Sequence, residues 1–299
     1  MSTINRKAAA ALPSNEPAVA DAMREFAFSD LDFRSLAQLA YEHAGIVLPE
    51  AKRNLVYGRL SRRLRALRLT TFRDYREYLA THEGELQSFI NSLSTNLTKY
   101  FRESHHFDHL RSQIAVPFTH NKAGGRRMRI WSAGCSSGEE PYTIAMVLKR
   151  EIPDIERYDV RILATDIDTD VLGKAARGVY PASAVDEVPA GYRSFFQEKA
   201  DGDTENQVFI DTAVQKLITF RQLNLLGPWP FKGLFDAIFC RNVMIYFDGP
   251  TKSHLVERFT QQVKLGGWLY IGHSESMIGS HPGLELIGRT IYRRVECPG

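Results

Sequence analysis

An apolar run, RMRIWSAG (127–134), meets a small-residue turn, CSSG, and then at once a helical run, EEPYTIAMVLKREI. A strand that reaches a helix through so short a turn fits a strand–helix unit of an open sheet. The pattern recurs downstream. DVRILATD (159–166) leads into TDVLGKAARGVY, and KLITFRQLN and LFDAIFCRN read as two more strands. PTKSHLVERFTQQVK is a helix feeding GGWLYIGHSE, and IGRTIYRRVE closes the series. Strands alternating with helices predict an α/β domain with a parallel, doubly wound sheet. The last two strands lie too close in sequence for a crossover helix, so the final pair is expected to be antiparallel.

Upstream the period changes. From Ser29 to about His120 the pattern is helical, with Ser29 or Asp30 as the first cap and Gly45 as the first C-terminal glycine. PEAKRNLVYGRLSRRLRALRL, TFRDYREYLA and GELQSFINSLSTN follow, the last running on into LTKYFRESHHFDHLRSQIAVPF. The expected organisation is a flexible tail at 1–27, rich in Ala, Pro, Ser and Asn, a helical N-terminal domain at 28–120 and an α/β domain at 121–299. Residues from about 178 to 215 are polar and turn-rich, and read as an insertion holding a small hairpin element around QVFIDTAV.

Three function classes are weakened at this level. A net charge of +3 does not by itself point to nucleic acid. Cys135, Cys240 and Cys297 are odd in number and widely spaced, which suits a reducing cytoplasm and fits neither a disulfide framework nor a zinc pattern. No apolar run reaches the roughly 18 residues a membrane helix needs.

Gly134 to Gly138 also fits G-x-S-x-G, the nucleophile elbow, with Asp236 and His273 as formal partners for Ser136. That reading fails on context. The turn follows the first strand of its sheet, everything upstream is helical, and Glu139 and Glu140 would oppose a developing oxyanion. The turn reads instead as a seat for a ligand at the carboxyl ends of the strands. Ser136 stands where the dinucleotide fingerprint has its second glycine, so no pyrophosphate need be held. Asp166 ends the second strand; it can accept ribose hydroxyls or cap the next helix, and both readings stand. Glycine turn, acid-ended strand and antiparallel finish together suggest an S-adenosylmethionine methyltransferase. His105, His106 and His109 lack an H-E-x-x-H glutamate and a third ligand, so no metal is expected.

Residues 52–68 carry many basic and no acidic side chains. On a helix Lys52, Arg59 and Arg63 fall within about 40° of one another, beside an apolar face of Val56, Leu60, Leu64 and Leu67. Such a stripe reads first as a solvated face and next as a nucleic-acid patch.

GIVLPEAKRNLVYGRLSRRLRAL, TNLTKYFRESHHF, WSAGCSSGEEPYTIA, ATDIDTDVLGKAARGVY, FRQLNLL, FCRNVMIYFD and GGWLYIGHSES occur in order over about residues 45–276. Together they resemble the chemotaxis receptor methyltransferases, the CheR family. The resemblance implies a Rossmann-like methyltransferase sheet with an antiparallel last strand, an all-helical N-terminal domain and a small inserted β-subdomain. It implies S-adenosyl-L-methionine as cofactor, with S-adenosyl-L-homocysteine as product. Its substrate would be glutamate side chains on the cytoplasmic helices of methyl-accepting chemotaxis receptors, giving glutamyl methyl esters. Cofactor contacts would fall on Asn96, Thr98, Arg102, Glu140, Asp166, Asn224, Leu225, Arg241 and Asn242, with Glu139 the neighbouring alternative to Glu140. Arg102 and Tyr246 would orient the reacting carboxylate.

The same resemblance makes Lys52, Arg53, Arg59, Arg62 and Arg63 the face that meets the acidic receptor helix. Replacing Arg59 and Arg63 by Glu is then expected to abolish receptor methylation and spare cofactor affinity. Some family members dock a receptor pentapeptide on a glycine- and arginine-rich hairpin. Here that region reads QEKADGDTENQVFID, so tail docking is not expected. RNVMIYFD replaces the Asn-Pro-Pro-Tyr-like loop of RNA methyltransferases, so no nucleic acid is expected. The expectation is a cytoplasmic monomer without membrane insertion.

Overall fold

The computed structural model describes residues 24–120, 127–198, 206–275 and 281–296. Helix α1, Asp30–Ala44, begins in a capping box: Ser29 accepts the Asp32 N–H and Asp32 accepts the Ser29 N–H. It stops at Gly45, whose left-handed φ of 67° only glycine adopts cheaply. A Cβ there would also lie 2.3 Å from Leu226 Cδ1, so this glycine lets the helix end abut the α/β domain. Helices α2 (Arg53–Leu67), α3 (Phe72–Thr81) and α4 (Glu83–Leu93) follow. Their apolar faces close on a core that includes Leu36, Val56, Leu60, Phe72 and Phe89.

Two expectations change in this part of the chain. Residues 1–23 of the expected tail lie outside the described residues, but residues 24–27 pack onto the helices. Phe26 is buried edge-on to Phe72, and Glu25 pairs with Arg65. The helical reading also breaks at 94–104, which is not helical. Phe101 and Glu103 hold left-handed φ values of 53° and 56°, a conformation that no glycine in the sequence announces.

Helix α5 (His105–Leu110), a π-helical turn (Arg111–Ala115) and α6 (Val116–His120) lead to the sheet. There β1 (Arg127–Ala133), α7 (Glu139–Glu151), β2 (Asp159–Asp166) and α8 (Thr169–Arg177) are two strand–helix units. Strands β3 (Val179–Pro181), β4 (Phe196–Glu198) and β5 (Gln207–Ile210) then form a separate antiparallel sheet in the order β3-β5-β4. This is one strand more than the expected hairpin. After α9 (Thr212–Gln215) come β6 (Ile218–Gln222), β7 (Phe235–Cys240), α10 (Gly249–Gln262) and β8 (Val263–Ile271). The stretch read as one last strand is two, β9 (Leu284–Gly288) and β10 (Ile291–Arg294). Arg289 and Thr290, both at positive φ, turn the chain between them.

The main sheet runs β6-β2-β1-β7-β8-β10-β9. Its first five strands are parallel, and β10 is antiparallel to β8 as expected. The strand order reverses between β1 and β7, so the crevice beyond their carboxyl ends is the natural ligand position. The three histidines pin α5 to the antiparallel end of this sheet. His106 is fully buried with Nε2 3.1 Å from Thr290 Oγ1, and His109 Nδ1 lies 2.9 Å from the Tyr270 hydroxyl. Burial drives the His106 pKa down to about 2, so it stays neutral. Among the described residues no group of three or more His, Cys, Asp or Glu is placed to hold a metal ion, and no helix is long and apolar enough to cross a membrane.

The basic stripe of α2 is largely a seam. Arg63 makes a two-pronged bond to buried Glu85 of α4, at 2.9 and 2.6 Å, and the Tyr75 hydroxyl donates to the same carboxylate. Arg59 donates to the carbonyls of Leu93 and Ser94 and to Thr95 Oγ1. Arg53 is held by Asp30, Glu50 and the Phe28 carbonyl. Angular spacing places a residue on a helix face but does not say that α4 covers that face. Lys52 and Arg62 remain toward solvent, with Arg62 exposed and Lys52 half-buried. The Arg59/Arg63 double charge reversal would therefore break the helical domain rather than probe a partner. Arg63→Ala alone leaves Glu85 buried without its cation, and should cost about 3 kcal/mol of stability in denaturant titration. A loss under about 0.5 kcal/mol, the scale of an exposed pair, would show that the seam does not carry that energy.

Candidate active-site cleft

The switch-point crevice is a cleft open to solvent on one side, lined by the turn after β1, the loops after β6 and β7, and the segment after α4. One wall is the glycine turn after β1. A Cβ at Gly134 would lie 2.3 Å from Val243 Cγ2, and Gly138 sits at φ 100° with its Cβ position 2.9 Å from Ala175 Cβ. Both positions thus require glycine. Ser136 takes a left-handed φ of 50° and turns its N–H onto Asp166 Oδ2 at 2.8 Å. Its hydroxyl donates to the Asn96 carbonyl at 2.9 Å, while Asp236 is bound to Lys264 and the Arg129 N–H. The formal Ser136–Asp236–His273 set is not assembled.

Asp166 is the acid at the foot of the cleft. Its second oxygen accepts the Asp168 N–H at 3.0 Å, and Asp168, not Asp166, caps α8. Each Asp166 oxygen so keeps acceptor capacity for a ligand facing it in the cleft. Burial raises its pKa, against the pull of those backbone donors. Glu140 is also buried and lines the cleft, accepting Ser132 Oγ at 2.7 Å and Arg241 Nη1 at 2.9 Å. Burial raises its pKa more than Arg241 lowers it. Glu139 instead accepts the Ser137 hydroxyl, and the cleft lining includes Glu140 and not Glu139.

The opposite wall is the non-helical segment after α4. Asn96 Nδ2 donates to Asp168 at 2.6 Å, and Thr98 and Arg102 also line the cleft. Arg102 spends one nitrogen on the Leu97 carbonyl at 2.9 Å. Asn224 and Leu225 enter from the loop after β6, with Asn224 fixed between the His43 carbonyl and the Leu226 N–H. Arg241, Asn242 and Tyr246 enter from the loop after β7. Arg241 lies between Glu140 and Glu103, 3.3 Å from the latter, so two carboxylates already neutralise it. Among the described residues the Tyr246 hydroxyl makes one long hydrogen bond, 3.4 Å to the Thr95 carbonyl, and the Lys52 ammonium lies 5.6 Å from the centre of its ring. The cleft thus gathers all ten residues expected for cofactor and carboxylate, whereas Arg53, Arg59 and Arg63 of the basic set are held elsewhere.

Two supports are not legible as such in the sequence. Glu275 is buried and accepts the N–H groups of Gly272 (2.7 Å), Asn242 (2.8 Å) and Ile245 (3.2 Å). It holds the loop that carries Asn242, at φ 60°, and Tyr246. Arg59 is the other, bracing residues 93–95 from behind. A charged residue in a glycine–serine turn after an apolar strand is a faint sign of the first. Nothing local announces the second.

The residues fit an adenosine-bearing sulfonium cofactor: an acid with spare acceptor sites, close backbone approach at Gly134, and a cationic fork at Arg102. Comparison with known proteins agrees. Residues 96–292 match the CheR methyltransferase SAM-binding domain, and residues 31–94 match the CheR methyltransferase all-alpha domain. The chain is 43% identical to a probable chemotaxis protein methyltransferase of Rhizobium etli, over 85% of this chain and 96% of that one. It is 42% identical to the chemotaxis protein methyltransferase of Escherichia coli K12, over 94% of this chain and 97% of that one. Calorimetry with S-adenosylhomocysteine tests the two roles in the turn. Ser136→Ala removes one hydrogen bond to a carbonyl and should weaken binding by less than about tenfold. Asp166→Ala should weaken it by more than about 100-fold, since it removes an acceptor of charge-assisted bonds. The reverse order would restore Ser136 as the key side chain.

Proposed function

This chain belongs to the CheR methyltransferases, and on that premise we propose that it esterifies glutamate side chains on the cytoplasmic helices of methyl-accepting chemotaxis receptors. It is an S-adenosylmethionine-dependent protein-glutamate O-methyltransferase. The observation that carries the assignment of roles is the pairing of buried Asp166 at the foot of one cleft with Arg102 and Tyr246 toward its mouth.

When bound, S-adenosylmethionine supplies a methyl group made electrophilic by the sulfonium. Asp166 would accept the ribose hydroxyls, and Asn96, Thr98, Glu140, Asn224, Leu225, Arg241 and Asn242, which line the same cleft, would shape the rest of the seat. Arg102 has guanidinium donors beyond its bond to Leu97 and can hold a carboxylate in fork geometry. Tyr246, with its hydroxyl only loosely engaged, offers one neutral hydrogen bond to the incoming glutamate. A neutral donor orients the nucleophile without quenching it. No proton need be removed, because a glutamate with a usual pKa of about 4.3 arrives ionised. The protein's part is to strip water from that carboxylate and hold it in line with the methyl carbon.

Receptor approach is assigned to Lys52 and Arg62, the members of the basic set left toward solvent, which steer an acidic helix by charge. The β3–β5–β4 sheet is read as not docking a receptor pentapeptide, given the acids in QEKADGDTENQVFID; residues 199–205 of it lie outside the described residues. The protein is read as a cytoplasmic monomer.

Two measurements follow. With no general base, kcat should be level from about pH 6.5 to 8.5, far above the usual glutamate range. It should fall only on the acid side, where the accepting glutamate takes up a proton, and S-adenosylhomocysteine affinity should weaken there too, because Asp166, whose pKa burial raises, takes up a proton before an ordinary aspartate would. A rising limb centred near neutrality would instead require a base. Replacing Lys52 and Arg62 by Glu should raise the receptor KM at low salt by about tenfold and shrink its salt dependence, while S-adenosylhomocysteine affinity stays within twofold. An unchanged receptor KM would remove these residues from the interface.

A further inference from the structure

Leu97 is 83% exposed, more than any other large apolar side chain among the described residues, yet it lines the mouth of the cleft. Its backbone does not let it fold away. On one side the Asn96 carbonyl accepts the Ser136 hydroxyl at 2.9 Å, and on the other the Leu97 carbonyl accepts Arg102 at 2.9 Å. A lone exposed leucine needs no explanation, but this one has company. Ile245 is 42% exposed beside Tyr246, and Val47, 37% exposed, donates its N–H to the Tyr246 carbonyl. Leu55, 42% exposed, lies one turn along from Lys52, whose ammonium sits over the Tyr246 ring. Four of the ten exposed large apolar side chains among the described residues thus belong to segments bonded to or flanking one tyrosine.

We infer that Leu97, with Val47, Leu55 and Ile245, forms an apolar rim that packs on the receptor helix around the accepting glutamate. The inference rests on the reading of this chain as a receptor glutamate methyltransferase, and adds how the substrate surface is recognised. The occupant is an amphipathic helix with apolar residues flanking the reactive carboxylate and acids farther out. The rim meets the former, and Lys52 at its edge meets the latter. Sealing the mouth in this way excludes water from the carboxylate, which strengthens its attack in a cleft where no base activates it. Leu97 touches substrate but neither gives nor takes a proton.

The test uses the full chain, receptor-containing membranes and labelled S-adenosylmethionine, with S-adenosylhomocysteine calorimetry alongside. Leu97→Ala should raise the receptor KM by about tenfold, the scale of a central interface contact. Leu97→Asp should raise it further, Leu97→Met should restore it, and all three should bind S-adenosylhomocysteine within twofold of the parent chain. A receptor KM unchanged in Leu97→Asp overturns the rim. So does a loss of S-adenosylhomocysteine affinity in parallel with the KM, which would make Leu97 a cofactor residue. Failure of the parent chain itself to methylate any receptor would overturn the underlying reading, and is distinct from both.

Discussion

The segment that leaves α4 is bonded from both sides, and the cleft exists because of it. From behind, Arg59 holds the carbonyls of Leu93 and Ser94. In front, Ser136 and Asp168 hold Asn96, and Arg241 donates to the Arg102 carbonyl. The helical domain is therefore a wall of the site rather than an appended module. A strand–helix sheet alone offers only an open crevice at its switch point. A second chain segment placed across it turns that crevice into a two-walled cleft.

Burial of charge in this cleft is matched by fixed donors. Asp166 and Glu275 draw backbone N–H groups, and Glu140 draws Ser132 and Arg241. Unpaired, each would be costly to bury. Of the described cations that line the cleft, Arg102 has donors to spare, while Lys99 pairs with Glu187 and Arg241 is neutralised by two acids. For methyl transfer to an anion that division matters. A strongly paired nucleophile attacks slowly, and a cation already satisfied by the protein does not compete for it.

Much of this was legible in the sequence, and the failures share a cause. The cap at Ser29 or Asp30, the Gly45 stop, the strand ends at about Gly134 and at Asp166 and the antiparallel finish are local signals, set by spacing and by glycine or capping side chains. The non-helical turn at 94–104 was invisible because Phe101 and Glu103 adopt left-handed backbone that their side chains do not favour. The same holds for the Arg289–Thr290 turn that splits the last strand in two. The α2 stripe is legible but its surroundings are not: whether Arg59 and Arg63 face water or bond to α4 depends on a neighbour that helical periodicity does not name. Glu275 likewise takes its meaning from a loop more than thirty residues away.

The most direct measurement is the chemical nature of the product. Receptor membranes incubated with the protein and S-adenosylmethionine labelled in its methyl group should acquire label on glutamate side chains. Mild alkali should release all of it as methanol, as a carboxyl ester requires. Label that survives alkali, or that appears on a group other than a carboxylate, would contradict the account.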